Sequence, residues 1–447
     1  MDSRPCFFSR VWAQFPPQIN PSAGVFFMGT HIGFVSTRFT AADGVTMEAG
    51  KWAEVLHECG HECFWWGGEV HKDPSRSMVV PEAHFLHPEN RWIQAEAFGR
   101  EIRSPELTQR IHDYRALLKE RLCDFLETFD IGLLVVENAL ATPLHIPLGL
   151  ALTEVIAERK LPTIAHHHEF SWEQSRCSVN CVRDFLSMAF PPALPTIQHV
   201  VISSAAHEDL AHRRGVSSFV IPNVLDFDHP PEPDPEKGRA LRLKLGLDPE
   251  AKLIVQPTRV IRRKGIEHAV EIAGALKDLG YRLLITHQAG EVDPEYASWL
   301  QNQARQHGVS LTFLGTHVVD PWVETAPPED AVALWDIYPH ADLITYPSLY
   351  EGFGNAFLEA IYFRKPLVVN RYANFVRDIE PLGFNLLIMD GYVSRRLVAR
   401  IRDVLQSEEQ RRAMVEHNYR LAHRHFSYGV LRRCLSFLLM NFFGMET

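Results

Sequence analysis

The chain has 447 residues, with 45 Lys and Arg against 55 Asp and Glu, for a net charge of −10. That length points to two or three domains, and the acidic surplus argues against a general nucleic-acid binder, which needs a basic one. A hydrophobic fraction of 46% and a charged fraction of 22% are ordinary for a folded globular protein and exclude a disordered chain.

Residues 1–27 are rich in proline and aromatics, show no period, and read as an N-terminal extension. The start has no signal-peptide apolar region, and no apolar run reaches the length of a membrane span. With seven cysteines, an odd number, reduced thiols in a cytoplasmic protein are expected. The regular pattern begins at Met28. HIGFVS (31–36) is a buried-strand candidate. Trp52, Val55, Leu56 and Cys59 fall at i, i+3, i+4 and i+7, which predicts a helix from about Met47 to Cys59, ended by Gly60. ECFWWG (62–67) is the next strand, so the chain opens as a βαβ unit with a parallel sheet. Strand candidates recur at 131–136, 162–166, 199–203 and 219–222, with helices near 104–128 and 147–159. Residues 70–103 lack a clean pattern and read as excursions over the sheet.

Four prolines and alternating acids at 226–238 form the best linker. A second βα series follows, with strand candidates at 252–258, 282–286, 310–315, 342–347, 366–370 and 385–390 and a helix over 265–279. Residues 316–330 read as a loop insertion. The apolar tail at 428–444 predicts a helix that packs back on the first unit; peripheral membrane contact is the alternative. The expected fold class is therefore α/β, with two Rossmann-like units, 28–224 and 225–427, and a returning helix at 428–447. Ligands of such sheets bind beyond the carboxyl ends of the strands, so two facing edges would make a cleft.

SLYEGFGNAFLEAI (348–361) follows a strand and opens a helix. Gly352 and Gly354 permit a tight turn and close backbone approach. The N–H groups of Phe353, Gly354 and Asn355 would face an anion from the helix start. Glu351 and Glu359 flank this loop and suit a ligand with hydroxyls at both ends, such as a sugar nucleotide. A dinucleotide loop is the rival reading, but GFGNAF lacks the third glycine of that fingerprint. In TRVIRRKG (258–265), Arg259 and Lys264 offer one planar and one point-like cation for a diphosphate. Arg262 and Arg263 read as solvated.

Together these residues resemble the retaining nucleotide-sugar glycosyltransferases of the GT-B fold, family 4. Pro347–Ser348, Ile221–Asn223, Gly60–Glu62 and the glycine at Gly44 add to the match. The resemblance implies transfer of a hexose from a UDP- or GDP-sugar to a hydroxyl acceptor, without metal or other cofactor. Arg259 and Lys264 would bind the diphosphate, Glu351 and the backbone at 353–355 the donor sugar, and Glu359 the ribose. Gly44 would approach phosphate or acceptor, and His317 and Val318 would lie near the base. The usual family histidine falls on His168 in PTIAHHHEFSWEQ (162–174), with Glu169 in place of its acid, and His166 is the runner-up. Strand alternation would turn His166 and His168 to one face, so a metal site competes with this reading. Asp226 and Asp228 form a DxD that reads as solvated loop, and the pairs Cys59/Cys63 and Cys177/Cys181 read as structural thiols. Departures such as Asp43-Gly44, where the family has two glycines, leave the donor open. The acceptor and the oligomeric state are not legible. A sugar phosphorylase, a reversible sucrose- or trehalose-type synthase, a non-catalytic sugar-nucleotide binder and a nicotinamide oxidoreductase are the alternative functions.

Overall fold

The computed structural model of the chain describes residues 29–444 apart from 41–43, 233, 245–247, 249, 288–292, 316–317 and 320–331. The expected N-terminal extension and most of the 316–330 insertion therefore lie outside the described residues. The chain divides into two compact units, one formed by 223–428 and the other by the residues before 223 together with those from Gly429 on.

The N-terminal unit contains seven strands: β1 (His31–Val35), β2 (Glu62–Gly67), β3 (Ser77–Val79), β4 (Leu133–Glu137), β5 (Thr163–His167), β6 (Ile197–Val201) and β7 (Ser218–Val220). They form one sheet in the order β3-β2-β1-β4-β5-β6-β7, and every pair is parallel. Parallel strands are covered on both faces, so they read as continuous apolar runs; LLVVE of β4 is buried throughout. Its helices are α1 (Gly44–Glu58), α2 (Pro88–Ala97), α3 (Pro105–Thr128), α4 (Ile146–Arg159), α5 (Arg183–Ala189) and α6 (Ser204–Arg214). One core packs Val35, Trp66, Leu134 and Val136 against Leu118, Leu122, Leu148 and Leu152 of α3 and α4.

The C-terminal unit repeats the plan. After α7 (Pro235–Lys244) come β8 (Lys252–Gln256), α8 (Ile266–Ala275), β9 (Tyr281–Ile285), α9 (Pro294–His307) and β10 (Leu311–Phe313). A two-stranded pair, β11 (Val318–Val319) with β12 (Val332–Ala333), precedes α10 (Leu334–Ile337). Then follow β13 (Leu343–Tyr346), α11 (Asn355–Tyr362), β14 (Leu367–Asn370), β15 (Leu387–Met389), α12 (Arg395–Gln406) and α13 (Glu408–Phe426). The main sheet runs β10-β9-β8-β13-β14-β15, again parallel. In both sheets strand order reverses beside the first strand, between β1 and β4 and between β8 and β13. In doubly wound sheets, ligands bind beyond the strand ends at such a reversal.

The last helix, α14 (Tyr428–Phe443), belongs to the N-terminal unit. Leu431, Cys434, Leu435 and Leu438 form its buried stripe at i, i+3, i+4 and i+7. Gln198 of β6 donates to the Leu438 carbonyl at 2.9 Å, and Asn441 donates to Gln198 at 3.1 Å. The apolar face that could have met a membrane is thus covered by the protein's own sheet. No described helix is long and apolar enough to cross a membrane.

Three elements differ from their expected form. Residues 70–103 include the edge strand β3 and the helix α2. β6 starts and ends two residues earlier than the 199–203 run, because Ser203 caps α6, its hydroxyl accepting from the N–H of Ala206 at 3.2 Å. The 265–279 helix is α8 followed by a tight turn over Lys277–Leu279, closed by Gly280 at φ +76°.

Candidate functional site

The loop after β8 is built on a buried polar chain. Thr345 of β13 donates to the Gln256 side-chain carbonyl at 2.8 Å, and the Gln256 amide donates to Thr258 at 2.9 Å. This fixes the end of β8 just before Arg259. Arg259 is exposed, and among the described residues its guanidinium has no hydrogen-bond partner. Lys264, five residues on, is buried, and its ammonium contacts Oε1 of Glu351. Arg263 donates to Oε2 of Glu351 at 3.1 Å and to the Tyr350 carbonyl at 3.0 Å.

Arg263, expected to be solvated, keeps its side chain 41% exposed but is also the second cation on Glu351. Arg262 does stay largely in solvent, paired with Asp293 at 3.1 Å. Burial lowers the Lys264 pKa; Glu351 opposes this, while Arg263 and Arg259 add to it. Burial would raise the Glu351 pKa, but Lys264 and Arg263 hold it below the ordinary carboxylate value. Glu351, expected to hold a sugar hydroxyl, has both oxygens engaged by cations of the neighbouring loop.

The 351–355 turn is pinned through its carbonyls. Asn374 donates to the carbonyls of Glu351 and Gly352 at 2.9 and 2.8 Å. The Tyr372 hydroxyl donates to the carbonyl of Phe353 at 2.7 Å. Gly354 sits at φ +110°, where a Cβ would come within 2.9 Å of the Tyr346 hydroxyl oxygen. With the carbonyls tied back, the N–H groups of Phe353, Gly354 and Asn355 have no partner among the described residues. That is the arrangement of an anion cradle at a helix start. The Asn355 side chain is held by Asn223, whose amide donates to its Oδ1 at 2.5 Å. At the other end of the motif, Glu359 is buried in α11 and accepts from the Tyr338 hydroxyl at 2.6 Å and the Trp335 indole at 3.4 Å.

His287, just past β9, joins this group and was missed by the sequence reading. Burial, then the charges of Arg259 and Lys264, push its pKa down to about 4. Of the residues expected near the base, His317 lies outside the described residues. Val318 is in β11, its side chain likewise undescribed.

The N-terminal unit gathers a second group at the carboxyl ends of β4 and β5. β4 and β5 pair with Glu137 opposite His166. Glu137 is fully buried and accepts from His166 Nδ1 at 3.1 Å and from His168 Nε2 at 3.1 Å. His166 and His168 thus share one face, as alternation requires. His167 turns the other way and meets His199 of β6 at 2.9 Å. Trp52 of α1 stacks on His166 with ring centroids 4.3 Å apart.

The acid beside His168 is therefore Glu137. Glu169, expected in that place, is exposed and accepts from Gln174 at 3.0 Å. Gly44 is the exposed first residue of α1, while 41–43 of its loop lie outside the described residues. Glu137, His166 and His168 form the one group among the described residues whose His, Cys or acidic donor atoms converge within 4.8 Å, the precondition for a metal. The imidazole hydrogen bonds already account for that convergence. The CxxxC pairs make no such group among the described residues, and their four thiols are free. Asp226 and Asp228 turn to His229 at 2.8 Å and to His423 at 2.7 Å.

Residues 239–421 match the family of glycosyl transferases group 1. Over 443 residues the chain is 31% identical to a mannosylglucosylglycerate synthase of Thermotoga maritima, covering 91% of this chain and 98% of that one. The chain belongs to the group 1 glycosyl transferases. A second mannosylglucosylglycerate synthase, from Petrotoga mobilis, is 28% identical over 382 residues, covering 80% of this chain and 86% of that one. The solved structure of Anabaena Alr3699/HepE in complex with UDP-glucose shares the fold at a TM-score of 0.60 and 15% identity, over 92% of this chain and 99% of that one. The expected fold class, α/β with two Rossmann-like units of the GT-B type, is the one observed. The protein is a group 1 glycosyltransferase whose Arg259, Lys264 and Glu351 stand together at the strand reversal of one unit, and whose His166 and His168 stand at the end of β5 in the other.

Proposed function

We propose that this glycosyltransferase moves a hexosyl group from a nucleotide diphosphate sugar to a hydroxyl of a small acceptor, with retention at the anomeric carbon and without a metal. The observation that carries this reading is the 351–355 turn: the carbonyls of Glu351, Gly352 and Phe353 are tied back, and the N–H groups of Phe353, Gly354 and Asn355 have no partner among the described residues, beside Arg259 and Lys264. A diphosphate needs fixed donors and cations that do not have to reorganise as charge develops. In this reading Arg259 binds the diphosphate directly. Lys264 shares its protons between Glu351 and the leaving group, and Glu351 and Arg263 hold it in place. The C1–O bond to the diphosphate breaks as the acceptor oxygen bonds to C1 on the same face, and the acceptor proton passes to the departing phosphate. Arg259 and Lys264 supply the positive charge that a divalent cation would otherwise provide. His168 is assigned to the transferring sugar, and Gly44 to backbone contact with phosphate or acceptor.

The named relatives favour a finer statement. They are synthases of mannosylglucosylglycerate, and a transferase completing such a product adds mannose to glucosylglycerate. We assign that acceptor class here, a small anionic glucoside. The bound UDP-glucose of the Anabaena protein supports the donor class, while the base, uridine or guanosine, is open to direct test.

That test is a thermal-shift series with UDP, GDP and ADP. A ligand that binds only the folded state raises the melting temperature with occupancy, so the preferred base stands out. Glu359→Ala is expected to weaken binding of that nucleotide by about 10-fold or more, through loss of a charge-assisted ribose contact. Unchanged affinity would remove the ribose role. No shift with any nucleotide would remove the donor reading.

A further inference from the structure

His168, assigned to the sugar, needs a partner that sets the orientation of its ring. Glu137 is an acid buried at the end of an apolar strand, where an unpaired charge is very costly. Burial pushes its pKa up, yet His166 and then His168 bring it down to about 2, so it is ionised at neutral pH. An ionised carboxylate only accepts hydrogen bonds. Both nitrogens that face it must therefore carry hydrogen: Nδ1 of His166 and Nε2 of His168.

Two consequences follow for the rings. Neutral His166 has a bare Nε2, and that atom is indeed buried without a partner among the described residues. Neutral His168 has a bare Nδ1, directed away from the carboxylate. The backbone of His168 is gripped as well. Asn138, in the left-handed region at φ +62°, accepts from the N–H of His168 at 3.1 Å and of Glu169 at 3.4 Å. The last residue of β4 and its successor thus fix both ring and main chain of His168, whose side chain stays 11% exposed.

The surrounding charges are closed off. On α1, Glu48 and Lys51 pair with each other at 2.6 Å, both buried, and carry no net charge toward the rings. On the other face of β5, His167 is spent on His199 of β6. The Glu137 carboxylate is thus left to the ring N–H groups of His166 and His168.

We propose that Glu137 is a positioning residue for His168: it fixes the ring through Nε2 and presents Nδ1 to the transferring sugar. The proposal rests on the assignment of His168 to the sugar.

The experiment measures kcat and donor KM of transfer for wild type, His168→Ala and Glu137→Gln, using whichever nucleotide sugar the binding series selects. In His168→Ala transfer falls sharply. Wild-type transfer in that variant would sink the His168 assignment itself, whatever Glu137 does. In Glu137→Gln kcat falls while donor KM changes little, because a carboxamide offers one accepting oxygen where the carboxylate offers two. Wild-type kcat in Glu137→Gln, or a loss of kcat matched by an equal loss of donor affinity, would overturn the proposal. A stoichiometric divalent metal in the purified wild type, lost in Glu137→Gln, would overturn it too. Should Glu137→Gln fail to fold, histidine ¹⁵N spectra of the wild type decide. Nε2–H with a bare Nδ1 on His168 at alkaline pH is expected, and the opposite tautomer contradicts the proposal.

Discussion

Lys264→Met loses at least about 100-fold in kcat while remaining folded, the scale seen when one preorganised donor to a developing anion is removed. Methionine keeps most of the volume and deletes the charge. The buried Glu351 then keeps Arg263, at 3.1 Å, as its remaining cation. Removing one partner of a buried pair leaves the other poorly compensated, at a cost of about 3–5 kcal/mol in the worst case. The Arg263 contact brings the expected loss toward the lower end. Measured together, transfer rate and melting temperature separate the two effects. A stable variant with wild-type turnover would refute the assignment of Lys264 to the leaving group. Arg259→Ala is the cleaner companion, because Arg259 is exposed and its guanidinium holds no described side chain in place. It should lose donor binding and turnover with no change in melting temperature.

Gly265→Ala is the second large expected effect, and it acts through the backbone. Gly265 stands at φ +60°, and a Cβ there would lie 2.4 Å from the carbonyl oxygen of Pro347. The left-handed conformation alone costs a residue with a side chain about 1–2 kcal/mol. The collision adds to this, since neither backbone can yield cheaply. The Lys264 loop must then pull away from the loop that carries Glu351, so donor affinity falls along with stability. Gly280→Ala is the internal control. Gly280 has φ +76° and nothing within 4 Å of a Cβ, so only the conformational cost remains. Calorimetric melting should place Gly265→Ala well below Gly280→Ala, and only the former should lose donor affinity. Equal losses would mean that the contact between the two loops does not matter.

The sequence made the fold legible where burial was complete. Strands such as LLVVE and LVVN are covered on both faces, so each is an apolar run that no other structure explains as well. The edge strand β3 is three residues long and half exposed, too short to show a period. The donor loops were legible because their residues are close in sequence and their chemistry is unusual. Their internal pairing was not: Arg263 and Glu351 are 88 residues apart, and only the parallel pairing of β8 and β13 brings the two loops together. Glu137 was hidden for the same reason. It closes an apolar strand and precedes His168 by 31 residues; the sheet register that sets it opposite His166 is a tertiary fact. Had the β4–β5 register been drawn from the two apolar runs, Glu137 would have fallen beside the histidines.

The central claim is that this protein transfers a sugar from a nucleotide diphosphate donor with retention. The most direct measurement is NMR of a reaction containing GDP-mannose or UDP-glucose and glucosylglycerate, with no added metal. Release of the nucleoside diphosphate in step with a new glycoside is expected, its one-bond C1–H1 coupling showing the same anomeric configuration as the donor. A product of inverted configuration would contradict the account, as would nucleoside diphosphate release without a new glycoside or no reaction with either donor.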